Sequence, residues 1–134
     1  MNNLSFHITD IMTNSIRAKA SEIGLFIEER DLRITIRIAD NGLGMDAGTI
    51  ARVTNPFYTT RTTRKVGLGI PFLIQNAEQT GGAVSITSQP GKGTVVTASF
   101  CSNHIDCPPW GDLPGTVAML ITGNPDINIC FEYQ

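Results

Sequence analysis

The chain has 134 residues, 41% of them apolar, and a formal net charge of −2. That length suits one domain with a sizeable core; the charge offers no basic field to nucleic acid or an anionic membrane, and no apolar run is long enough for a bilayer. Three cysteines, an odd number, argue against a disulfide framework; with no basic-then-apolar signal-peptide start, they point to a reducing, cytoplasmic setting.

From about Ser5 to Ala20 the spacing predicts a helix, with Ile8, Ile11, Met12, Ser15 and Ala18 on one side. Asp10, Asn14 and Arg17 form a second stripe on successive turns. Such a stripe is either a solvated face or a ligand set. An acid and an amide are hard oxygen ligands of the kind Mg2+ takes, and a guanidinium suits phosphate. Asn is a poor helix former, which weighs mildly against plain solvation. Gly24 to Glu28 reads as a strand, Glu29 to Leu32 as a turn, and Arg33 to Ala39 as a second strand.

That hairpin delivers Asp40-Asn41-Gly42-Leu43-Gly44-Met45. A strand ending in a carboxylate and two close glycines brings backbone near a flat or charged ligand, although Asp-Asn-Gly is also an ordinary turn. Asp46 to Thr54 reads as a short helix, ended by Asn55-Pro56-Phe57-Tyr58. Thr59 to Lys65 is a loop of four threonines and three cations. It is either a surface loop or a polyphosphate contact. Gly67-Leu68-Gly69-Ile70 opens a helix with Pro71 in its first turn, and Gly81-Gly82 stops it. A glycine turn at a helix start is a ready anion site, or simply a glycine-rich way into a helix.

Ala83 to Ser88 and Thr94 to Phe100 are alternating strands joined by a Pro90-Gly91-Lys92-Gly93 hairpin. No phosphate loop of the G-x-x-x-x-G-K-[ST] kind is present. The tail from Cys101 to Gln134 changes character. Pro108 to Pro114 reads as a rigid connection, Thr116 to Thr122 as a short helix, and Ile127 to Tyr133 as a last strand that covers a sheet edge or pairs with a partner. Cys101, His104 and Cys107 are evenly spaced, but zinc needs a fourth ligand and only Cys130 offers one. Buried small hydrophobes and a loop histidine fit those residues better.

Four stretches stand in fixed order: Asp10/Asn14/Arg17, Asp40 to Gly44, Pro56-Phe57-Tyr58-Thr59-Thr60-Arg61, and Gly67-Leu68-Gly69-Ile70, followed by Gly81-Gly82 and Ser88 to Thr94. That order resembles the GHKL superfamily of ATP-binding domains, the Bergerat fold, and locally the sensor histidine kinases. The likeness covers roughly Phe6 to Phe100. It implies an α+β fold: a two-layer α/β sandwich, a mixed sheet with helices on one face. It also implies a 1–100 ATPase domain, with a 101–134 extension packed on it.

The resemblance further implies ATP and Mg2+ as cofactors. Asn14 would hold Mg2+ on the triphosphate, and Arg17 would meet the phosphates. Asp10 stands where relatives carry a glutamate general base. Asp40 would accept a hydrogen bond from the adenine amino group, with Gly42, Gly44 and Met45 around the base. Thr94 would support Asp40 through water. Thr59, Thr60, Arg61 and Lys65 would form a lid, and Gly67, Leu68 and Gly69 a phosphate-facing helix start. A buried acceptor on the base selects adenine over guanine, because a carbonyl there would leave it unpaired.

Two departures bear on function. Asp10 is one methylene shorter than Glu, and a base must reach its proton. A phosphoacceptor motif of the His-Glu/Asp-x-x-x-x-Pro type is absent: the two histidines are His7, inside the nucleotide-facing helix, and His104. The expected function is therefore a stand-alone, histidine-kinase-like or anti-sigma-like protein kinase acting on a separate partner protein, with no nucleic-acid or membrane partner. The alternative is a conformational ATPase or nucleotide switch. A scaffold without nucleotide fits less well, because Asn14, Asp40 and both glycine turns are present.

Overall fold

The structure, a computed structural model, describes residues 3–55 and 69–134. Helix α1 spans Leu4–Arg17. Strands β1 (Glu22–Arg30) and β2 (Arg33–Asp40) follow as a hairpin. Then come α2 (Ala47–Val53), α3 (Gly69–Gln79), β3 (Ala83–Gln89), β4 (Gly93–Cys101), α4 (Leu113–Gly123) and β5 (Asn128–Tyr133).

The five strands form one sheet in the order β3-β4-β2-β1-β5. All neighbours are antiparallel except β1 and β5, which run parallel. The fold is the expected α+β sandwich with a mixed sheet. The core is the face where the strand periodicity of two meets the helical stripes. Ile23, Leu25 and Ile27 of β1, Ile34, Ile36 and Ile38 of β2, and Val96, Ala98 and Phe100 of β4 are buried against Ile8, Ile11 and Met12 of α1 and Ile70, Leu73 and Ala77 of α3. Each large aliphatic side chain so buried contributes about 1.5–3 kcal/mol.

Element limits differ from the sequence reading for local reasons. α1 starts at Leu4, because the Asn3 side chain accepts the Phe6 N–H and caps it. It ends at Arg17, and Lys19 turns the chain at φ 63°. The β1–β2 turn tightens to Asp31 and Leu32, both at positive φ (54° and 62°), as a two-residue hairpin turn with right-handed strand twist requires. α4 begins at Leu113 rather than Thr116: the Asp112 carboxylate accepts the Gly115 N–H, and Pro114 falls in the first turn, where its missing N–H costs nothing. β5 covers the β1 edge, the first of the two roles expected for it.

Candidate functional site

One end of the helix-facing side opens into a cleft of about 280 Å³. Its walls come from α1 (Ile11, Asn14, Ser15, Arg17), the end of β2 (Ile38, Asp40), the following loop (Gly44, Met45), α2 (Thr49, Val53), Ile70 of α3, and Thr94 and Val96 of β4. The walls are largely apolar, with a few convergent polar groups, which is the usual make-up of a small-ligand site.

Asp40 is the best-held polar group there. Its Oδ2 accepts from Ser15 Oγ at 2.6 Å and its Oδ1 from the Gly42 N–H at 2.8 Å. Each carboxylate oxygen keeps a further lone pair, so both can accept again. Ser15 is buried and was assigned from the sequence only to the apolar face. A hydroxyl among Ile8, Ile11 and Met12 was the available signal.

Asp40, Thr94 and Ser88 stand abreast on β2, β4 and β3. Thr94 Oγ1 pairs with Ser88 Oγ at 2.7 Å, and Ser88 Oγ also accepts the Met45 N–H at 2.8 Å. Ser88 therefore ties the Met45 loop to the sheet, a duty the sequence reading did not assign. Asn41 does the same at the other side: its Oδ1 accepts the Ser21 and Glu22 N–H groups.

The loop glycines answer to protein packing. A Cβ on Gly42 would lie 2.7 Å from the Ala18 carbonyl oxygen, where the Leu43 N–H bonds at 2.8 Å. Gly44 combines φ 72° with contact on the Gln89 carbonyl oxygen, so any side chain there would both strain and collide.

Asn14 and Arg17 line the cleft, but Asp10 does not. Its carboxylate leans on the start of α3: a Cβ on Gly69 would lie 2.7 Å from Asp10 Oδ2. Burial raises the Asp10 carboxyl above its usual range, and the charge of Arg17 draws it partly back. Thr59, Thr60, Arg61, Lys65, Gly67 and Leu68, with Pro56-Phe57-Tyr58, lie outside the described residues.

The two histidines stand away from this chemistry. His7 is 1% exposed, with Nε2 2.8 Å from Asn76 Nδ2. Burial lowers its pKa to about 4. His104 Nδ1 accepts the Asp106 N–H, and the Cys101 thiol donates to Asn103 Oδ1. Among the described residues no three His, Cys, Asp or Glu side chains gather as a metal site. Among them, no helix is long and apolar enough to cross a membrane.

A family model described as histidine kinase-, DNA gyrase B-, and HSP90-like ATPase matches residues 3–103. The chain is 30% identical over 106 residues to the sensor histidine kinase YxdK of Bacillus subtilis (strain 168), covering 72% of this chain and 32% of that protein. It is 35% identical over 93 residues to the sensor protein kinase FleS of Pseudomonas aeruginosa, covering 67% and 23%. It is 31% identical over 97 residues to sporulation kinase E of Bacillus subtilis (strain 168), covering 70% and 13%. The chain thus spans a third or less of the length of these relatives.

Proposed function

The chain belongs to the histidine kinase-, DNA gyrase B- and HSP90-like ATPase family, and from that premise we propose that it binds ATP with Mg2+ in this cleft and transfers the terminal phosphoryl group to a separate partner protein. The observation that carries the reading is Asp40: a carboxylate fixed from two sides at the wall of an apolar cleft, with acceptor capacity left over. An exocyclic amine satisfies it; a carbonyl opposite it is repelled.

Phosphoryl transfer asks a protein mainly for positioning and charge stabilisation. Asn14 would hold Mg2+, which would supply positive charge to offset that of the phosphates. Arg17, with Arg61 and Lys65, meets the triphosphate, and Thr59 and Thr60 add hydroxyl donors. Gly67, Leu68 and Gly69 would contact the phosphates. In this reading residues 1–100 are the ATPase domain and 101–134 an extension packed on it, working in the cytoplasm without nucleic acid or membrane.

A second reading, a nucleotide-ordered switch without efficient transfer, draws on Asp10. A carboxylate one methylene shorter than Glu, leaning on Gly69 and off the cleft wall, is poorly placed to reach the proton a general base must take.

Titration calorimetry with Mg-ATP and Mg-GTP tests the premise: heat with ATP and little with GTP is expected, and no heat with ATP overturns both readings. Labelled ATP added to the chain and an extract of its native source separates them. A labelled second polypeptide supports transfer. Free phosphate or unchanged ATP, with no labelled polypeptide, supports the switch.

A further inference from the structure

At the sheet edge far from the cleft, β5 is paired on one side only. The Asn128 N–H donates to the Ser21 oxygen at 2.9 Å, and the Gln134 N–H to the Ile27 oxygen at 2.8 Å. Strand groups alternate, so Asn128, Cys130, Glu132 and Gln134 face β1, while Ile129, Phe131 and Tyr133 turn their N–H and C=O groups away from it. Among the described residues those outward groups meet no backbone partner.

Apart from the single charge of Glu132, the usual protections of an edge are missing here. Residues 128–134 contain no Lys, Arg or Pro, and the register with β1 runs without a bulge. At the opposite edge, by contrast, α2 packs beside β3 and Met45 is tied to Ser88.

We propose that β5 pairs antiparallel with β5 of a second copy of this chain, with Phe131 on the two-fold axis, joining the two five-stranded sheets. Only residues with outward backbone groups can exchange hydrogen bonds, which restricts the possible registers. The one centred on Phe131 pairs the whole of 128–134. It sets Ile129 against the partner's Tyr133, and Phe131 against the partner's Phe131, on the helix side of the sheet. Phe131 is 38% and Tyr133 50% exposed, so apolar area remains to be covered. On the other side Cys130 meets the partner's Glu132.

Charge selects the same register. Glu132 is the one charged residue of the strand. A slide toward the C-terminal end sets it against its own copy, which is unfavourable. The opposite slide shortens the pairing and brings Cys130 against Cys130. A two-fold contact of this kind closes at two copies.

Sedimentation equilibrium of the whole chain without nucleotide, over a range of concentrations, is expected to give a dimer of the 14.5 kDa protomer. Phe131→Lys, which sets two ammonium groups on the axis, should halve the mass while leaving the far-ultraviolet circular dichroism unchanged. Glu132→Cys should form a covalent dimer through the native Cys130 under mild oxidation, since directly opposed residues there have Cα atoms about 4.5 Å apart. Adding Cys130→Ser should abolish that product. A wild-type chain that is monomeric throughout, a dimer that survives Phe131→Lys, or a Glu132→Cys cross-link that persists without Cys130 overturns the proposal. So does a wild-type Cys130–Cys130 cross-link of equal yield.

Discussion

Of the polar side chains that helix α1 buries, Ser15 and His7 stand about two turns apart and lead different lives. Ser15 donates to Asp40 at the wall of the cleft, and the pair keeps acceptor capacity where a ligand can reach it. His7 meets Asn76 at the other end of the helix, beside the rings of Phe6, Phe72 and Phe100. Its Nδ1 has no hydrogen-bond partner among the described residues. A polar residue within an apolar stripe is thus no marker of a site by itself. What distinguishes the two is whether the partner still offers a bond toward open space.

Four experiments break or sharpen that contrast. Asp40→Asn replaces an acceptor by a group that can turn a donor toward the base. ATP affinity should fall by about 3 kcal/mol, on the order of 100-fold, as read by calorimetry. An equal loss on changing His7 would erase the division between the two ends of α1.

The His7 end should instead reveal itself in stability against pH. Its folded pKa of about 4 lies below the unfolded value of 6.5. As pH falls below 6.5, the unfolded chain takes up a proton that the folded chain refuses, so stability declines down to about pH 4. Between pH 7.5 and 4.5 the loss should be on the order of 2–3 kcal/mol from this group, by the ordinary conversion of a pKa difference. Urea unfolding at both pH values measures it. His7→Phe should flatten that part of the slope while ATP affinity holds.

Ser15→Ala removes the donor that fixes Asp40 Oδ2. It should lower ATP affinity by about 1 kcal/mol, roughly fivefold, and narrow the preference over GTP. Unchanged discrimination would mean that the Gly42 N–H suffices to aim the carboxylate. Smallest of all, Asp10→Asn should leave ATP affinity within about twofold, because its side chain leans on Gly69 and off the cleft wall. If phosphoryl transfer to a partner is observed, the same variant should slow it.

The cleft was legible in the sequence where a ligand demands residue types at fixed spacing. Asn14 and Arg17 repeat at helical period, and Asp40 ends an alternating strand just before two glycines. The framework of the site was less legible. Ser15 reaches a carboxylate 25 positions later, and a helical stripe does not reveal which of its members will do so. Ser88 looks like one more strand hydroxyl until β3 and β4 align it with Thr94. The glycines were readable as necessary but not for their reason, since it takes the folded chain to bring Ala18 and Gln89 against them. Strand order was legible only within the two hairpins, β1–β2 and β3–β4. That β2 pairs with β4, and that β5 returns to β1, sequence proximity does not encode.

That return sets the tempo of folding. Ile23 of β1 finds its neighbour Ile129 roughly a hundred residues along the chain, and parallel contacts of such span form late. Until they do, the strand that carries Ile23, Leu25 and Ile27 has one flank bare. The half-finished molecule, more than the native one, is then the species most prone to stick to its neighbours as concentration rises.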